Sequence, residues 1–283
     1  MWILFTVISM ATSATRRIYD KNLTGHFRNI YLMFIMNIFG FIPFTLLLFI
    51  FPIPKDVFHL GWSFWWPVLA SCIVQFPLQM LFYLKAIKQG EMSSVMPLLA
   101  LSPVFNVFSS MLLVREFPSH FGYLGIILTA CGVFLLLYKK GTHIKSRPEF
   151  YMLLSVFFLA IGSSFDKVGI GAATPIWYGF VNYVVSIIVS GIYVLVSKQH
   201  GDYKHTHLHF KKLVIVGILF AVSYATLEIA LSLGPTAYVL ALRSGVFVLT
   251  SLWGIYKLKE SVTNKKIIAL ILFILGTFFL AFA

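Results

Sequence analysis

Apolar stretches alternate with short polar segments along the whole chain, and most of the apolar stretches are about 20 residues long. A helix needs about 20 consecutive apolar residues to cross a bilayer. A polar hinge at 139–147 divides the stretches into two groups of five. The pattern predicts ten spans, at 1–20, 29–51, 61–87, 92–114, 120–138, 149–170, 175–196, 211–233, 236–256 and 265–283.

The composition supports this prediction and excludes most other classes of protein. Of the 283 residues, 59% are apolar and 11% are charged, whereas a soluble domain has about 25% charged residues. So few charges cannot cover a surface in water, which excludes a soluble enzyme, a disordered chain and a fibrous repeat. The apolar N-terminus precedes Arg16 and Arg17, the reverse of a secretory signal. We therefore expect an all-α membrane protein that retains its first helix.

The basic residues predict an orientation for this membrane protein. The net charge is +13, and 18 of the 22 Lys and Arg lie in the odd-numbered connections between predicted spans. The positive-inside rule places such connections in the cytoplasm, with both termini outside the plasma (inner) membrane. The basic residues are explained by contact with the lipid bilayer, and the chain has no long basic run, so we expect no nucleic-acid partner.

The two groups of five spans resemble each other. Residues 90–116 and 234–260 both run from Gly to Glu over the same length, at an offset of 144. Similar offsets pair Gly132 with Gly276 and the Asp-Lys pair at 20–21 with that at 166–167. The sequence therefore predicts two repeats, 1–141 and 148–283. Because each has five helices, tandem copies must insert in opposite orientations, as in many secondary transporters.

Two segments carry a resemblance to a known family. The stretch SPVFNVFSSMLLVREFPSHFGYLGIILTACGVFLL at 102–136 resembles the end of an EamA-type domain, and AYVLALRSGVFVLTSLWGIYKLKES at 237–261 resembles a second copy. The resemblance implies a transporter of the drug/metabolite superfamily with ten helices in two inverted five-helix repeats. Arg115 and Lys259 depart from the family pattern, since they stand where Gly usually precedes Glu116 and Glu260. Family members carry amino acids, nucleotide sugars, metabolites or drugs.

Charged residues within the predicted spans are the first candidates for a transport pathway, because ionisable groups at membrane depth are costly. Glu228 and Arg243 lie about 9 and 13 Å from the connection that joins their helices, so an ion pair is within reach. The pair is either structural or part of substrate and proton handling, and both hypotheses stay open. Asp166 and Lys167 end the sixth span on the same side, where we expect them to line the outer mouth.

Uncharged polar residues complete the candidate pathway. Singly, such side chains often hold helices together through hydrogen bonds, whereas a set of them predicts a cavity lining. Trp177 is either an interfacial residue or part of a gate. These candidates are Tyr224, Gln75, Gln79, Asn182, Asn37 and Trp177.

No motif for catalysis or metal binding is apparent. The chain has no Gly-Lys-Ser/Thr phosphate-binding motif and no evident nucleophile–base pair. The histidines between 200 and 209 lack the spacing of a zinc site, and we interpret Cys72 and Cys131 as small core residues. We therefore expect no catalytic residue, no cofactor and no bound metal.

The predicted function is secondary transport of a small metabolite or amphipathic solute by alternating access. Glu228 would bind a proton or a cation, and Arg243 would hold an anionic group or adjust the proton affinity of Glu228. The alternatives are a lipid flippase or scramblase and an intramembrane lipid-modifying enzyme. The expected partners are a small-molecule substrate and possible coupling protons, and the chain is expected to be a monomer or a homodimer.

Overall fold

The helices of this protein follow the predicted apolar stretches closely. The computed structural model describes residues 1–23, 26–51, 53–54, 60–89, 96–137, 147–197, 206–246, 248–249 and 263–283. Most of the hinge at 139–147, the end of the ninth span, Lys259, Glu260, His200 and His205 lie outside the described residues.

All regular structure in the described part of the chain is helical. Several predicted spans are single helices, whereas the third and fourth are assembled from shorter segments. The helices are α1 (Trp2–Leu23), α2 (Asn29–Leu46), α3 (Trp62–Leu69), α4 (Phe76–Gln89), α5 (Ser102–Ser109), α6 (His120–Leu137), α7 (Arg147–Gly171), α8 (Pro175–Val196), α9 (Phe210–Leu233), α10 (Thr236–Arg243) and α11 (Asn264–Ala281).

Within the described residues, six helical stretches are long and apolar enough to cross a membrane, as expected of a multi-pass membrane protein. Shorter apolar helices occur at Ser102–Val114 and His120–Leu135. The six long stretches are Ile30–Phe49, Trp62–Tyr83, Arg147–Gly171, Pro175–Val196, Phe210–Leu233 and Asn264–Ala281.

Proline explains the breaks in the third and fourth spans. Pro77 has no backbone N–H to donate to the preceding turn, and a π-helical segment, Ala70–Gln75, joins α3 to α4 just before it. Pro97 lies in a 3-10 segment, Met96–Leu101, and Pro103 lies in the first turn of α5. Each proline therefore lies in or beside a change of helical geometry.

The helices of the two sequence repeats pack against one another in exchanged pairs. In the sequence repeat, α1 corresponds to α7 and α4 corresponds to α9. In the structure, α1 packs on α9 and α4 packs on α7, so each helix contacts the counterpart of the other helix. The repeat also aligns α2 with α8 and α6 with α11, and each of these pairs is in contact. The bounds of α6 and α11 differ by the same 144 residues that separate the repeats. The two halves thus interdigitate instead of lying side by side.

Glycine allows α6 and α11 to approach closely. A Cβ atom on Gly132 would lie 2.8 Å from the carbonyl oxygen of Ala269, and one on Gly276 would lie 2.6 Å from the backbone nitrogen of Thr129. Small residues at helix contacts are common in membranes. Cys131, on the same helix α6, is exposed, so the prediction that it is a core residue was wrong. Position 131 faces away from this contact, whereas Cys72 is buried as predicted.

Candidate functional site

A buried carboxyl group, that of Glu228, lies at the centre of the candidate site. Its side chain is 0% exposed, and within the part of the chain that the structure describes neither carboxylate oxygen has a hydrogen-bond partner. A buried carboxyl group without such a partner is rare in proteins because it is costly.

Two other charged residues act on Glu228 electrostatically. These are Asp166 of α7 and Arg243 at the end of α10, and the charge of Arg243 also acts on Asp166. Glu228 and Arg243, which were proposed from their depth along the helices, are thus near each other and near Asp166, although Arg243 donates no hydrogen bond to the Glu228 carboxyl oxygens. Two carboxyl groups and one guanidinium group share this interior region.

Asp166 is held by a tyrosine from the neighbouring helix. The Tyr178 hydroxyl donates to Asp166 Oδ1 at 3.1 Å, and both side chains are buried. Gly169 makes room for the tyrosine, since a Cβ atom there would lie only 2.0 Å from the Tyr178 ring. Asp166 is therefore a buried residue of the site in this structure.

Asn182, one turn beyond Tyr178 on α8, connects the site to the π-helical segment of the other half. The Cys72 thiol donates to Asn182 Oδ1 at 2.9 Å, and Asn182 Nδ2 donates to the Tyr178 carbonyl at 3.4 Å. The Ser186 hydroxyl donates to Cys72 Sγ at 3.4 Å. This hydrogen-bonded group joins α8 to the first half of the chain.

Gln75 lies in the π-helical segment against α7. Its Oε1 atom accepts from the Ser71 hydroxyl at 3.3 Å. A Cβ atom on Gly162 would lie 2.3 Å from Gln75 Cδ, so the glutamine fits only because α7 has glycine there. Its contacts again cross between the two halves.

Gln79 and Asn37 make hydrogen bonds between helices. Gln79 Nε2 donates to the Ser155 hydroxyl at 3.4 Å, and the same hydroxyl donates to the Gln79 carbonyl at 3.0 Å. Asn37 Nδ2 donates to the Ser190 hydroxyl at 3.4 Å. These bonds connect α4 with α7 and α2 with α8.

A cluster of aromatic rings surrounds Tyr224, which lies one turn before Glu228 on α9. Its ring centroid is 5.6 Å from that of Tyr183, 5.9 Å from Phe44 and 6.4 Å from Phe220. The Arg16 guanidinium lies 4.5 Å above the Phe220 ring. Among the described residues, the buried Tyr183 hydroxyl has no hydrogen-bond partner. Sequence reasoning missed every ring of this cluster except Tyr224.

A second polar group, here called the Glu116 latch, consists of Glu116, Lys167, Leu231, Gly234 and Thr236. Lys167 Nζ lies 3.4 Å from Glu116 Oε1 and donates to the carbonyls of Gly234, at 2.8 Å, and Leu231. Glu116 Oε2 accepts from the Thr236 backbone N–H at 2.7 Å. A carboxylate at this position satisfies a free N–H in the first turn of α10. The latch joins the first half to the second.

The latch adjoins further contacts between the halves. The Tyr238 hydroxyl accepts from the Ser119 backbone N–H at 2.8 Å. A pocket lies beside it, lined by Glu116, Phe117, Pro118, Pro235, Ala237 and Tyr238.

Trp177 lies in the first turn of α8, where Thr174 caps the helix. Its ring stacks on Phe180 with centroids 5.4 Å apart. Within the described residues, its buried Nε1 atom has no hydrogen-bond partner. An indole N–H with no acceptor beside it is available to a ligand or to water.

Arg115 adopts an unusual backbone conformation at the end of the helical segment that precedes Glu116. Its φ and ψ are 60° and 30°, and it is the one non-glycine residue with positive φ in the described ranges. Glycine adopts this conformation at low cost, whereas other residues are strained in it. A glycine at position 115, as in the pattern that this segment resembles, would avoid the strain.

Arg115→Gly should therefore leave the protein as stable as the wild type or stabilise it by up to about 1 kcal/mol, because the relief of left-handed strain exceeds the added chain entropy. Arg115→Ala retains the strain and should give no gain. Thermal unfolding of the purified proteins measures both. A lower melting temperature for Arg115→Gly than for Arg115→Ala would contradict this explanation.

The fold and the site together define a polytopic membrane protein built from two repeats whose buried polar residues meet between the halves. A model of the EamA-like transporter family matches the chain twice, at residues 1–138 and 146–282. The chain belongs to the EamA-like transporter family, and the two repeats predicted from the 144-residue offset are confirmed.

A structural comparison concerns the fold alone. A solved structure titled only "Crystal structure of protein" superposes with a TM-score of 0.78 at 16% sequence identity, over 98% of this chain and 95% of that one. At that identity the match establishes a shared fold. No curated protein matches the chain in sequence.

Proposed function

We propose that this protein is a secondary transporter that moves a small metabolite or amphipathic solute by alternating access. The observation that carries the proposal is Glu228, a fully buried carboxyl group without a hydrogen-bond partner among the described residues. Ionisable groups retained inside a membrane protein usually mark a substrate or ion pathway. The substrate would bind beside Glu228, between the halves, as expected for transporters built from repeats.

The proposed architecture is ten helices in two inverted repeats, 1–141 and 148–283. The exchanged packing of α1 on α9 and of α4 on α7 supports it, because a two-fold axis converts one contact into the other. With five helices in each repeat, that axis lies in the membrane plane. Rocking of one half against the other would open the site to each side in turn.

The Glu116 latch would close one end of this pathway. It holds Lys167 and α10 of the second half against the segment after α5 of the first half. An alternating-access cycle requires that contacts between the halves at one end break when that end opens. When the latch is formed, the pathway is therefore closed at the end where the even-numbered connections lie.

Glu228 is also the proposed site of ion coupling. An unpaired buried carboxylate is costly, and either a proton or a cation relieves that cost. Arg243 and Asp166 are the charged neighbours whose interactions with Glu228 would change when Glu228 binds or releases a proton or a cation. Proton coupling would make solute uptake follow the proton gradient, whereas exchange of substrate for substrate would not need it.

The even-numbered connections should face outwards, because most Lys and Arg lie in the odd-numbered ones. In a protein with Cys72 and Cys131 replaced by alanine, Phe117→Cys should react with an impermeant thiol reagent in intact cells. His207→Cys should react only after the cells are opened. Both positions are exposed in the structure. The reverse labelling pattern would invert the proposed orientation.

Exchange by the purified protein in sealed vesicles tests the transport proposal. Vesicles loaded with a carbon-13-labelled small-molecule extract of the expression host should release particular species in exchange for unlabelled ones outside. Mass spectrometry identifies those species, and protein-free vesicles are the control. Movement of fluorescent lipid between leaflets without solute exchange would favour the flippase alternative. Chemical change of a lipid without exchange would favour the enzyme.

A further inference from the structure

The buried polar atoms without partners near Glu228 are not scattered. Both Glu228 carboxylate oxygens and the Tyr183 hydroxyl lack hydrogen-bond partners among the described residues. Glu228 lies one helical turn beyond Tyr224, whose ring is 5.6 Å from that of Tyr183. Unsatisfied buried groups are rare in folded proteins and commonly mark a functional site. Here they lie on two adjacent helices, α8 and α9, and Tyr224 is a neighbour of both residues.

The rings beside these atoms form a closed triangle. The centroids of Phe44 and Tyr183 are 5.0 Å apart, those of Phe44 and Tyr224 are 5.9 Å apart, and those of Tyr183 and Tyr224 are 5.6 Å apart. The three rings come from α2, α8 and α9, so both halves contribute. Aromatic faces attract cations, and aromatic surfaces also hold apolar groups.

The unsatisfied carboxyl oxygens of Glu228 favour a ligand with N–H donors and a positive charge over an anionic one. Asp166 and Glu228 share the guanidinium group of Arg243, whereas the Arg16 guanidinium lies 4.5 Å above Phe220, another ring of the cluster, and acts electrostatically on Tyr183. Asp166 already accepts from the Tyr178 hydroxyl, whereas the Glu228 oxygens accept nothing from the described residues. A ligand that fits this arrangement brings a positive charge and N–H donors. An ammonium group has both.

We propose that Glu228 and Tyr183, together with the ring triangle of Phe44, Tyr183 and Tyr224, form a binding subsite for a primary or secondary amine with an apolar or aromatic body. The ammonium group donates to the Glu228 carboxylate and the Tyr183 hydroxyl, and the body packs against the rings. The substrate class of the transporter is therefore an amphipathic amine. This inference rests on the proposed transport function, since it assigns the solute that the central site binds.

Equilibrium binding of radiolabelled phenethylamine to the purified protein in detergent tests the subsite. Phenethylamine carries a primary ammonium group on an aromatic body. Binding should be saturable and displaced by unlabelled phenethylamine. It should not be displaced by the same concentration of 2-phenylethanol, which is neutral, or of 3-phenylpropionate, which is anionic. Equal displacement by either compound, or absence of saturable binding, would overturn the proposal.

Substitutions assign the binding to the named residues. Glu228→Gln should weaken phenethylamine binding at least tenfold, and Tyr183→Phe, which removes one hydrogen-bond partner, should weaken it by up to about tenfold. Glu149→Gln, at a buried carboxyl in the first turn of α7, and Tyr193→Phe, at an exposed tyrosine on α8, are matched controls with wild-type binding. Wild-type affinity in folded Tyr183→Phe and Glu228→Gln proteins would overturn the assignment.

Failure of this proposal can be distinguished from failure of the transport proposal. If the vesicles exchange solutes but the purified protein does not bind phenethylamine, the protein is a transporter and the amine subsite is wrong. If phenethylamine binds saturably but no solute exchanges, the subsite stands as a binding site and the transport function is wrong. If amines are prominent among the exchanged species, both proposals are supported.

Discussion

Arg243→Gln should be the most harmful single substitution in the protein, because it leaves Asp166 and Glu228 in the interior without their shared cation. Removing one partner from a buried set of charges destabilises a protein by about 3–5 kcal/mol. Glu228→Gln should reduce folded yield or solute uptake as well, but it leaves the Asp166 and Arg243 charges together. Folded yield in detergent and the melting temperature measure the effect on stability.

The double substitution of Glu228 and Arg243 by Gln separates a structural role from a role in transport. The double variant leaves one buried carboxyl group, that of Asp166, without a cation, whereas Arg243→Gln leaves two, so the double variant should fold better than Arg243→Gln alone. If Glu228 binds the coupling proton, this folded variant should fail in proton-driven uptake, while substrate exchange can survive. Full wild-type uptake with an unchanged pH dependence would exclude both residues from the mechanism.

Lys167→Met should open the even-connection end of the pathway, because it removes an ion pair with Glu116 and two hydrogen bonds to backbone carbonyls. Hydrogen bonds that involve a charged group contribute about 1.5–3 kcal/mol, so the open fraction should rise at least tenfold. With Cys131 replaced by alanine, the rate at which an impermeant reagent labels Cys72 from that side reports the opening.

Two controls accompany this measurement. Lys212→Met removes an exposed lysine from the first turn of α9 and should leave the labelling of Cys72 unchanged. Glu116→Gln keeps an acceptor for the Thr236 N–H but loses the charge, so its effect should be smaller than that of Lys167→Met. Wild-type labelling of the Lys167→Met protein would contradict the role of the latch as a closing contact.

The fold was predictable from sequence because the bilayer imposes a length on every span. The seventh predicted span, 175–196, coincides with α8, where Thr174 caps the helix and Pro175 begins it. The breaks within the third and fourth spans are marked in the sequence by Pro77, Pro97 and Pro103. Their geometry, a π-helical segment in one case and a 3-10 segment in the other, depends on packing against α7 and α6.

The charged part of the candidate site was also predictable. A tight connection joins α9 to α10. The distance of each residue from that connection was therefore enough to predict that Glu228 lies near Arg243. The Glu116 latch was not predicted, because its residues lie in different repeats and meet only through the packing of the halves. The ring cluster was missed for another reason: with 29 Phe and 13 Tyr in the chain, no pattern distinguishes Phe44 or Tyr183.

Reversible closure of the latch tests alternating access most directly. Cysteines at positions 116 and 167, in a protein with Cys72 and Cys131 replaced by alanine, can be joined by a reducible bifunctional maleimide. We predict that vesicles containing the joined protein stop exchanging labelled solutes and that reduction restores exchange, whereas the reagent leaves each single-cysteine protein active. Exchange that continues at the original rate through the joined protein would contradict the account.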